Sequence, residues 1–274
     1  MKTSLLLLLF LFSNIVQATP DIDSLDKAFT ETFKIRIGGY LVSRNDTVLS
    51  ATTDSLVGAK INLQDDLGMD NKTSSFRLDG HYRFNDFHKL EFSYYNIKNS
   101  TTKVTEREFT FNGASYTAGA EVGAHLNLNI FKLNYAYSFY HNEKVELAVA
   151  AGLHMLGTKT GIYGLATKND GEKRYTEENV KFLAPLPVIG FRIGYAVTPR
   201  FHVNGSFDYF GIAYDDYKGT FTDILITAEY QLYDNWSAGV GLNITALDLK
   251  IQDKALYEAE QNITGFLAYV AYSY

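Results

Sequence analysis

From residue 33 onward, apolar and polar positions alternate one for one almost to the end of the chain. Phe76, Leu78, Gly80, Tyr82 and Phe84 form one apolar or small face, interleaved with Arg77, Asp79, His81 and Arg83. Trp236, Ala238, Val240, Leu242 and Ile244 alternate with Ser237, Gly239, Gly241 and Asn243. Successive side chains of a strand point to opposite faces, so this pattern predicts strands. Ten segments carry it: 33–42, 75–84, 88–97, 131–139, 145–155, 188–197, 201–210, 222–232, 236–246 and 264–274. Each is close to the ~9–11 residues that a tilted strand needs to cross a bilayer. Their connections alternate between short turns, such as Asn85-Asp86-Phe87 and Thr198-Pro199-Arg200, and long stretches at 43–74, 98–130, 156–187, 211–221 and 247–263. Short periplasmic turns and longer external loops mark an outer-membrane barrel.

Charge placement sharpens this reading. The cations within the segments are Lys34, Arg36, Arg77, Arg83, Lys89, Lys132 and Arg192, and the anions are Asp79, Glu91, Glu146, Asp208, Asp223 and Glu229. All fall on the polar face. A Lys or Arg turned to lipid at mid-bilayer costs ~2–4 kcal/mol, so the apolar face suits a lipid-exposed exterior. A soluble sandwich or lipocalin-type barrel would show the same alternation with the faces exchanged. Small residues on the polar face, such as Gly152, Gly194, Gly239, Gly241, Ala148 and Ala150, suit a crowded lumen instead. Aromatics at the short-turn ends, including Phe33, Phe84, Phe139, Tyr195, Phe201 and Trp236, suit an interfacial girdle. The expected fold is all-β: a transmembrane, antiparallel, up-and-down barrel of about ten strands, with 8 or 12 as alternatives, periplasmic termini and extended extracellular loops. Twelve stays open because alternating stretches recur at Thr47 to Ala51, at Val57 to Leu63 and around Asn112-Gly113, a tight-hairpin signal.

The start of the chain follows a different rule. Lys2, the apolar run Leu5 to Phe12, and Val16-Gln17-Ala18 form a secretory signal peptide at residues 1–18, with cleavage expected after Ala18. Eight apolar residues fall far short of the ~20 of a spanning helix. Residues 19–32 read as a periplasmic segment, with a short helix over Ile22, Leu25 and Phe29 as the alternative, and residues 33–274 as the barrel. The chain lacks Cys, which removes disulfide frameworks and Cys-based metal sites. A net charge of −6 speaks against a nucleic-acid partner.

The last strand places Phe266, Val270, Tyr272 and Tyr274 on one face. It resembles the terminal signal that bacterial outer-membrane proteins present to their assembly machinery. Ile61 to Gly68, Arg77 to Asn85, Tyr137 to Asn142 and Ala184 to Val188 resemble, more widely, a proteobacterial family of outer-membrane β-barrel proteins that carries no assigned activity. The resemblance implies a fold and a compartment, the bacterial outer membrane, and no functional residues. The expected partners are outer-membrane lipid and lipopolysaccharide, and the assembly machinery through the last strand.

The candidate chemistry lies in the lumen, where the thirteen charged residues and His81 form a polar network. Mixed signs favour a filling of ion pairs over an open channel. On the hairpin of the second and third segments, Arg77, Asp79, Arg83, Lys89 and Glu91 are expected to pair across the two strands. Pro185 and Pro187, two apart, lack donors toward one neighbouring strand, which suggests a lateral seam for apolar molecules. The bland alternative is a strand that ends there. His202, Ser206 and Asp208 share a strand face, but i and i+4 lie ~13 Å apart along a strand, so no relay is expected. Asp65, Asp66, Asp70 and Asn71 read as a solvated loop, and Asp215-Asp216-Tyr217-Lys218-Gly219 as a turn. No catalytic residue, metal site or cofactor is assigned. A structural or surface-interaction protein is expected first, a conduit or binding site for small apolar molecules second, and an outer-membrane hydrolase last. A His–carboxylate or Ser–His cluster drawn from different strands at the rim would favour the hydrolase.

Overall fold

The computed structural model describes residues 29–53, 60–112, 114–168, 171–214, 217–252 and 255–274. The expected signal peptide, Gly113, Asp215 and Asp216 lie outside them. Among these residues thirteen strands form one antiparallel sheet: β1 (Phe33–Thr53), β2 (Ile61–Asn62), β3 (Thr73–Arg83), β4 (His88–Val104), β5 (Phe109–Phe111), β6 (Ala114–Tyr116), β7 (Glu121–His141), β8 (Val145–Lys168), β9 (Lys173–Thr198), β10 (Phe201–Tyr214), β11 (Tyr217–Tyr233), β12 (Trp236–Gln252) and β13 (Ala255–Ser273). Ten close a ring: β1, β3, β4 and β7 to β13 in chain order, with β13 returning to β1. The Phe33 amide donates to the Tyr274 carbonyl at 2.9 Å, and the Tyr274 amide donates to Phe33 at 2.8 Å, so the seam between first and last strands is fully paired at its lower end. The remaining strands lie off the ring. β2 pairs with β1, and β5 and β6 form a hairpin against β8.

The short turns are held by side chains that mimic the backbone. Asn85 Oδ1 accepts from the amides of Phe87 and His88 at 3.0 and 3.1 Å, and Asn142 Oδ1 from those of Lys144 and Val145 at 2.9 and 2.8 Å. At the other end the strands run far beyond the membrane. β8 has 24 residues and β9 has 26. At ~3.3 Å per residue they greatly exceed an apolar band ~25 Å tall. The long connections are therefore largely strand, and the wall continues above the bilayer.

The ring has a sharply divided surface. Ile37, Leu41, Phe76, Phe131, Ile189, Val240, Ile244, Phe266 and Val270 point outward and are exposed, with Phe84, Tyr137, Phe139, Tyr195 and Trp236 near the turn ends. Inward positions are buried. A bulge between Val42 and Arg44 reverses the parity of β1. Lys34 and Tyr40 face inward below it, and Asn45 and Thr47 above it. Two apolar clusters fill the ring higher up. One holds Val42, Ile97, Leu128, Ile130, Leu186, Val188 and Phe221. The other lies in the extracellular extension, where Ile61, Leu63, Phe109, Phe111 and Tyr116 pack against Leu126 and Ile162.

Candidate functional site

The periplasmic half of the lumen holds a cavity of ≈ 150 Å³, lined by Lys34, Arg36, Arg77, Asp79, His81, Arg83, Lys89, Glu91, Lys132, Glu146, Arg192, Asp208 and Asp223, together with Glu31, and Glu229 is buried against Lys34 and Arg36. Seven cations face seven carboxylates once Glu31 and Glu229 are counted. A buried charge is tolerated where it is paired and hydrogen-bonded, and the geometry follows that rule. Glu229 takes Lys34 and Arg36, each at 3.0 Å, and the Tyr269 hydroxyl at 3.3 Å. Glu146 takes Arg83 at 2.8 Å, Lys89 at 3.1 Å and the Ser138 hydroxyl. Arg192 bridges Glu91 at 2.7 Å and Asp208 at 2.9 Å. Lys132 meets Asp223 at 2.7 Å, and Thr245 donates to the same carboxylate at 2.6 Å.

The expected pairing across the β3–β4 hairpin does not occur. Its register sets Arg83 against Lys89, His81 against Glu91 and Asp79 against Ser93. The like charges Arg83 and Lys89 instead converge on Glu146 of β8, and Glu91 reaches Arg192 of β9. Arg77 turns to Asp79 on its own strand at 3.0 Å. In a narrow ring, long side chains reach across the lumen, so they pair with other walls as well as with neighbouring strands.

Two residues of the segment before the barrel belong to this site, and the alternating pattern does not reveal them. Phe29 is buried in the periplasmic mouth, against Ala196, with the His202 ring 5.5 Å away. Its ring occupies the space over Gly194, where a Cβ would stand 2.6 Å from it. Glu31 pairs with Lys34 at 2.9 Å and lies 3.7 Å from His81. Burial alone would raise the Glu31 carboxyl, but Lys34 and His81 beside it hold it well below the usual carboxylate range. The signal was the acidic residue two positions before the strand, in a segment that reads as a tail.

Above the charges the lumen changes character. The Arg77 guanidinium lies over the Tyr95 ring at 4.7 Å and the Tyr40 ring at 5.5 Å, and donates to Asn243 at 2.8 Å. Beyond this layer the inward side chains are the apolar residues of the first cluster. The interior is thus filled, with its charges concentrated in the periplasmic half and a smaller buried polar group, Asn45, Thr47 and Gln261, higher up. Inward-facing positions are set by parity, which fixes a direction and leaves the residue chemistry free to change with height.

Pro185 and Pro187 do not start β9, which continues above them to Lys173. Toward β8 the pairing runs on through Leu153–Pro187 and Met155–Pro185 to Thr167–Lys173. Toward β10 it stops at Ile189–Tyr209. The Ala196 amide donates to Lys144, next to β8, so the even positions of β9 address β8 and the odd positions address β10. Both prolines therefore lack donors on the unpaired side. Their row on the outer wall also holds Met155, Phe131 and Tyr94, all apolar or aromatic. Inside, Val188, Leu186 and Phe221 are buried there, with Phe210 and Ala184 packed against them.

The other candidates take structural roles. Asp208 is engaged by Arg192, and His202 stacks on Phe29, so neither forms a relay with Ser206. Asp66 pairs with Arg107 at 2.6 Å, and Asp70 accepts from the Lys72 amide at 2.8 Å. Two His–carboxylate pairs join different strands. His154 and Asp208, 3.7 Å apart, are buried inside the ring. His125 and Glu177, 3.9 Å apart, lie on the outer wall, and no hydroxyl donates to or accepts from His125 among the described residues. The aromatic residues Phe266 and Tyr274 of the last strand are exposed, as is Val270.

No family model matches the chain, and no curated protein matches it. Among solved structures it superposes on the outer-membrane protease OmpT from Escherichia coli with a TM-score of 0.56 and 13% identity, over 88% of this chain and 97% of that one. The outer membrane protein OprG from Pseudomonas aeruginosa matches at TM-score 0.41 and 10% identity, over 89% and 96% of the two chains. The attachment invasion locus protein Ail of Yersinia pestis matches at 0.33 and 11%, over 88% and 99%. At such identity the OmpT likeness speaks for the fold alone, and the other two add nothing to it. The closed ring of ten strands, its outward apolar band and this shared fold give the chain the fold of an outer-membrane β-barrel.

Proposed function

We propose that the protein is a closed barrel of structural or surface-interaction type, acting through its extracellular extension and not as an open pore. The supporting observation is the filling of the ring in sequence along its axis: paired charges, then an apolar layer, then the extracellular core. An ion entering from the periplasm meets fixed charges already neutralised and then a dry constriction. The family resemblance carries no activity, and the outer-wall His125–Glu177 pair, a His–carboxylate pair drawn from two strands, keeps the hydrolase as the last-ranked alternative. Purified protein in planar bilayers should give no steady conductance. Large, stable currents from the wild-type chain would refute this reading.

A second reading has its own support. The unpaired β9–β10 edge, two prolines lacking donors toward it, and an apolar interior behind it fit a lateral route for a small apolar molecule between the extracellular lumen and the lipid. Such a molecule would bypass the charged layer below.

A further inference from the structure

Pairing fixes outward-facing rows across β4, β7, β8 and β9. One row runs Tyr94, Phe131, Met155, Pro185; the next Asn96, Asn129, Gly157, Leu183; the third Lys98, Asn127, Lys159, Lys181. Within ~13 Å of strand the wall thus passes from apolar through amide to cationic. An outer leaflet has the same order, with acyl chains below and headgroup phosphates above.

The third row is unbalanced as it stands. Lys159 and Lys181 are directly opposed, and like charges so placed destabilise a sheet. Among the described residues none of the three lysines has a carboxylate within ion-pair distance. Several other cations of the extension are paired: Lys60 with Glu258 and Glu260, Lys250 with Glu258, Arg44 with Asp46. On the far side of the ring, β12 and β13 set Asp248 against Glu260. The acid nearest the lysines along β9, Glu177, is engaged one row above them: it accepts from Asn179 at 2.9 Å and lies 3.9 Å from His125. Below Lys159 the glycine at 157 leaves a notch, since a Cβ there would meet nothing closer than 3.7 Å. Asn96 donates to Asn127 at 2.7 Å and to Asn129 at 2.8 Å, which fixes the amides at the edge of the notch.

We infer that this row is a docking site for the phosphate groups of an outer-leaflet glycolipid, seated against the β4–β7–β8–β9 wall. Its acyl chains lie on the Tyr94–Phe131–Met155 row and its phosphates between Lys98, Lys159 and Lys181. A lysine binds phosphate as a point charge, so three of them around one notch suit a diffuse, multiply charged headgroup. On the β12–β13 wall Lys60 and Lys250 are already engaged by Glu258 and Glu260, which leaves the Lys98–Lys159–Lys181 row as the preferred lipid-binding side. The site is independent of whether the lumen conducts.

The test uses the full mature chain in detergent micelles, with bisphosphorylated lipid A, the same lipid A stripped of both phosphates, and inorganic phosphate as probes. Native mass spectrometry reads the bound fraction, and heat-shifted gel migration confirms folding. Bisphosphorylated lipid A should bind and the stripped lipid should not. The triple variant Lys98→Gln, Lys159→Gln, Lys181→Gln should weaken binding on the order of a hundredfold, and Lys159→Gln alone about fivefold. Lys60→Gln with Lys250→Gln, on the far side, should leave it unchanged. Equal binding of stripped lipid, retention by the triple variant, or an equal loss in the far-side variant would overturn the site. Displacement of lipid A by millimolar inorganic phosphate would reassign it to free phosphate.

Discussion

Glu146 accepts from Arg83, Lys89 and Ser138 at once; among the described residues Arg83 has no other carboxylate within ion-pair distance, while Lys89 also has Glu91 at 3.6 Å. Glu146→Gln leaves two buried cations facing an amide. Loss of one member of a buried pair costs about 3–5 kcal/mol, and urea unfolding from lipid vesicles should show a loss of that size. Glu31→Gln should cost less, about 1–3 kcal/mol, because Lys34 keeps Glu229 at 3.0 Å. The folded Glu31 carboxyl titrates below its unfolded value, so its contribution is present above about pH 4.3 and fades as the pH falls. The gap between wild type and Glu31→Gln should therefore narrow at pH 3, and a constant gap would contradict the pairing. Single residues were legible in direction but not in partnership. Alternation places Arg83 and Lys89 in the lumen, yet their common anion sits on β8, more than fifty positions along the chain, and no local pattern encodes that distance.

At the scale of the element, β1 and β9 show why the strands read short. The alternation of β1 breaks at the Val42–Arg44 bulge, and the strand continues with reversed parity to Thr53. In β9 the two prolines read as a boundary, whereas the strand passes through them because its β8 side stays paired. A missing amide on one edge does not end a strand whose other edge is satisfied. The Asn112-Gly113 turn was legible for the opposite reason: its chemistry is local, and Asn112 adopts the left-handed φ of 46° that such a turn requires. The open β9–β10 edge carries a prediction of its own. Pro185→Val with Pro187→Val restores two donors toward β10 and should extend the ladder past Ile189. Uptake of an apolar naphthylamine dye into vesicles should then slow, with assembly unchanged on heat-shifted gels. Unchanged uptake would discard the lateral route.

For the molecule as a whole, closure in series is the property that matters. The charged layer, the apolar layer around Leu128, Leu186 and Phe221, and the extracellular core are stacked along one axis. Removing one should leave the others sealed. The charged layer is the safest to remove, because its members can be deleted as pairs. Lys132→Ala with Asp223→Ala, and Arg192→Ala with Asp208→Ala, leave Glu91 with Lys89 at 3.6 Å and so spare the membrane half an uncompensated charge. This fourfold variant should hold water in the periplasmic half and still end at a dry apolar constriction, so planar bilayers should stay silent. The chain has no Cys, which allows a second readout. Ser206→Cys, in the lining of the lower cavity, should become reactive to a small charged thiol reagent from the periplasmic side once the charge pairs are gone. From the outside of intact cells it should remain protected. Steady current, or labelling from outside, would show that the charged layer alone held the barrel shut and that the apolar layer seals nothing.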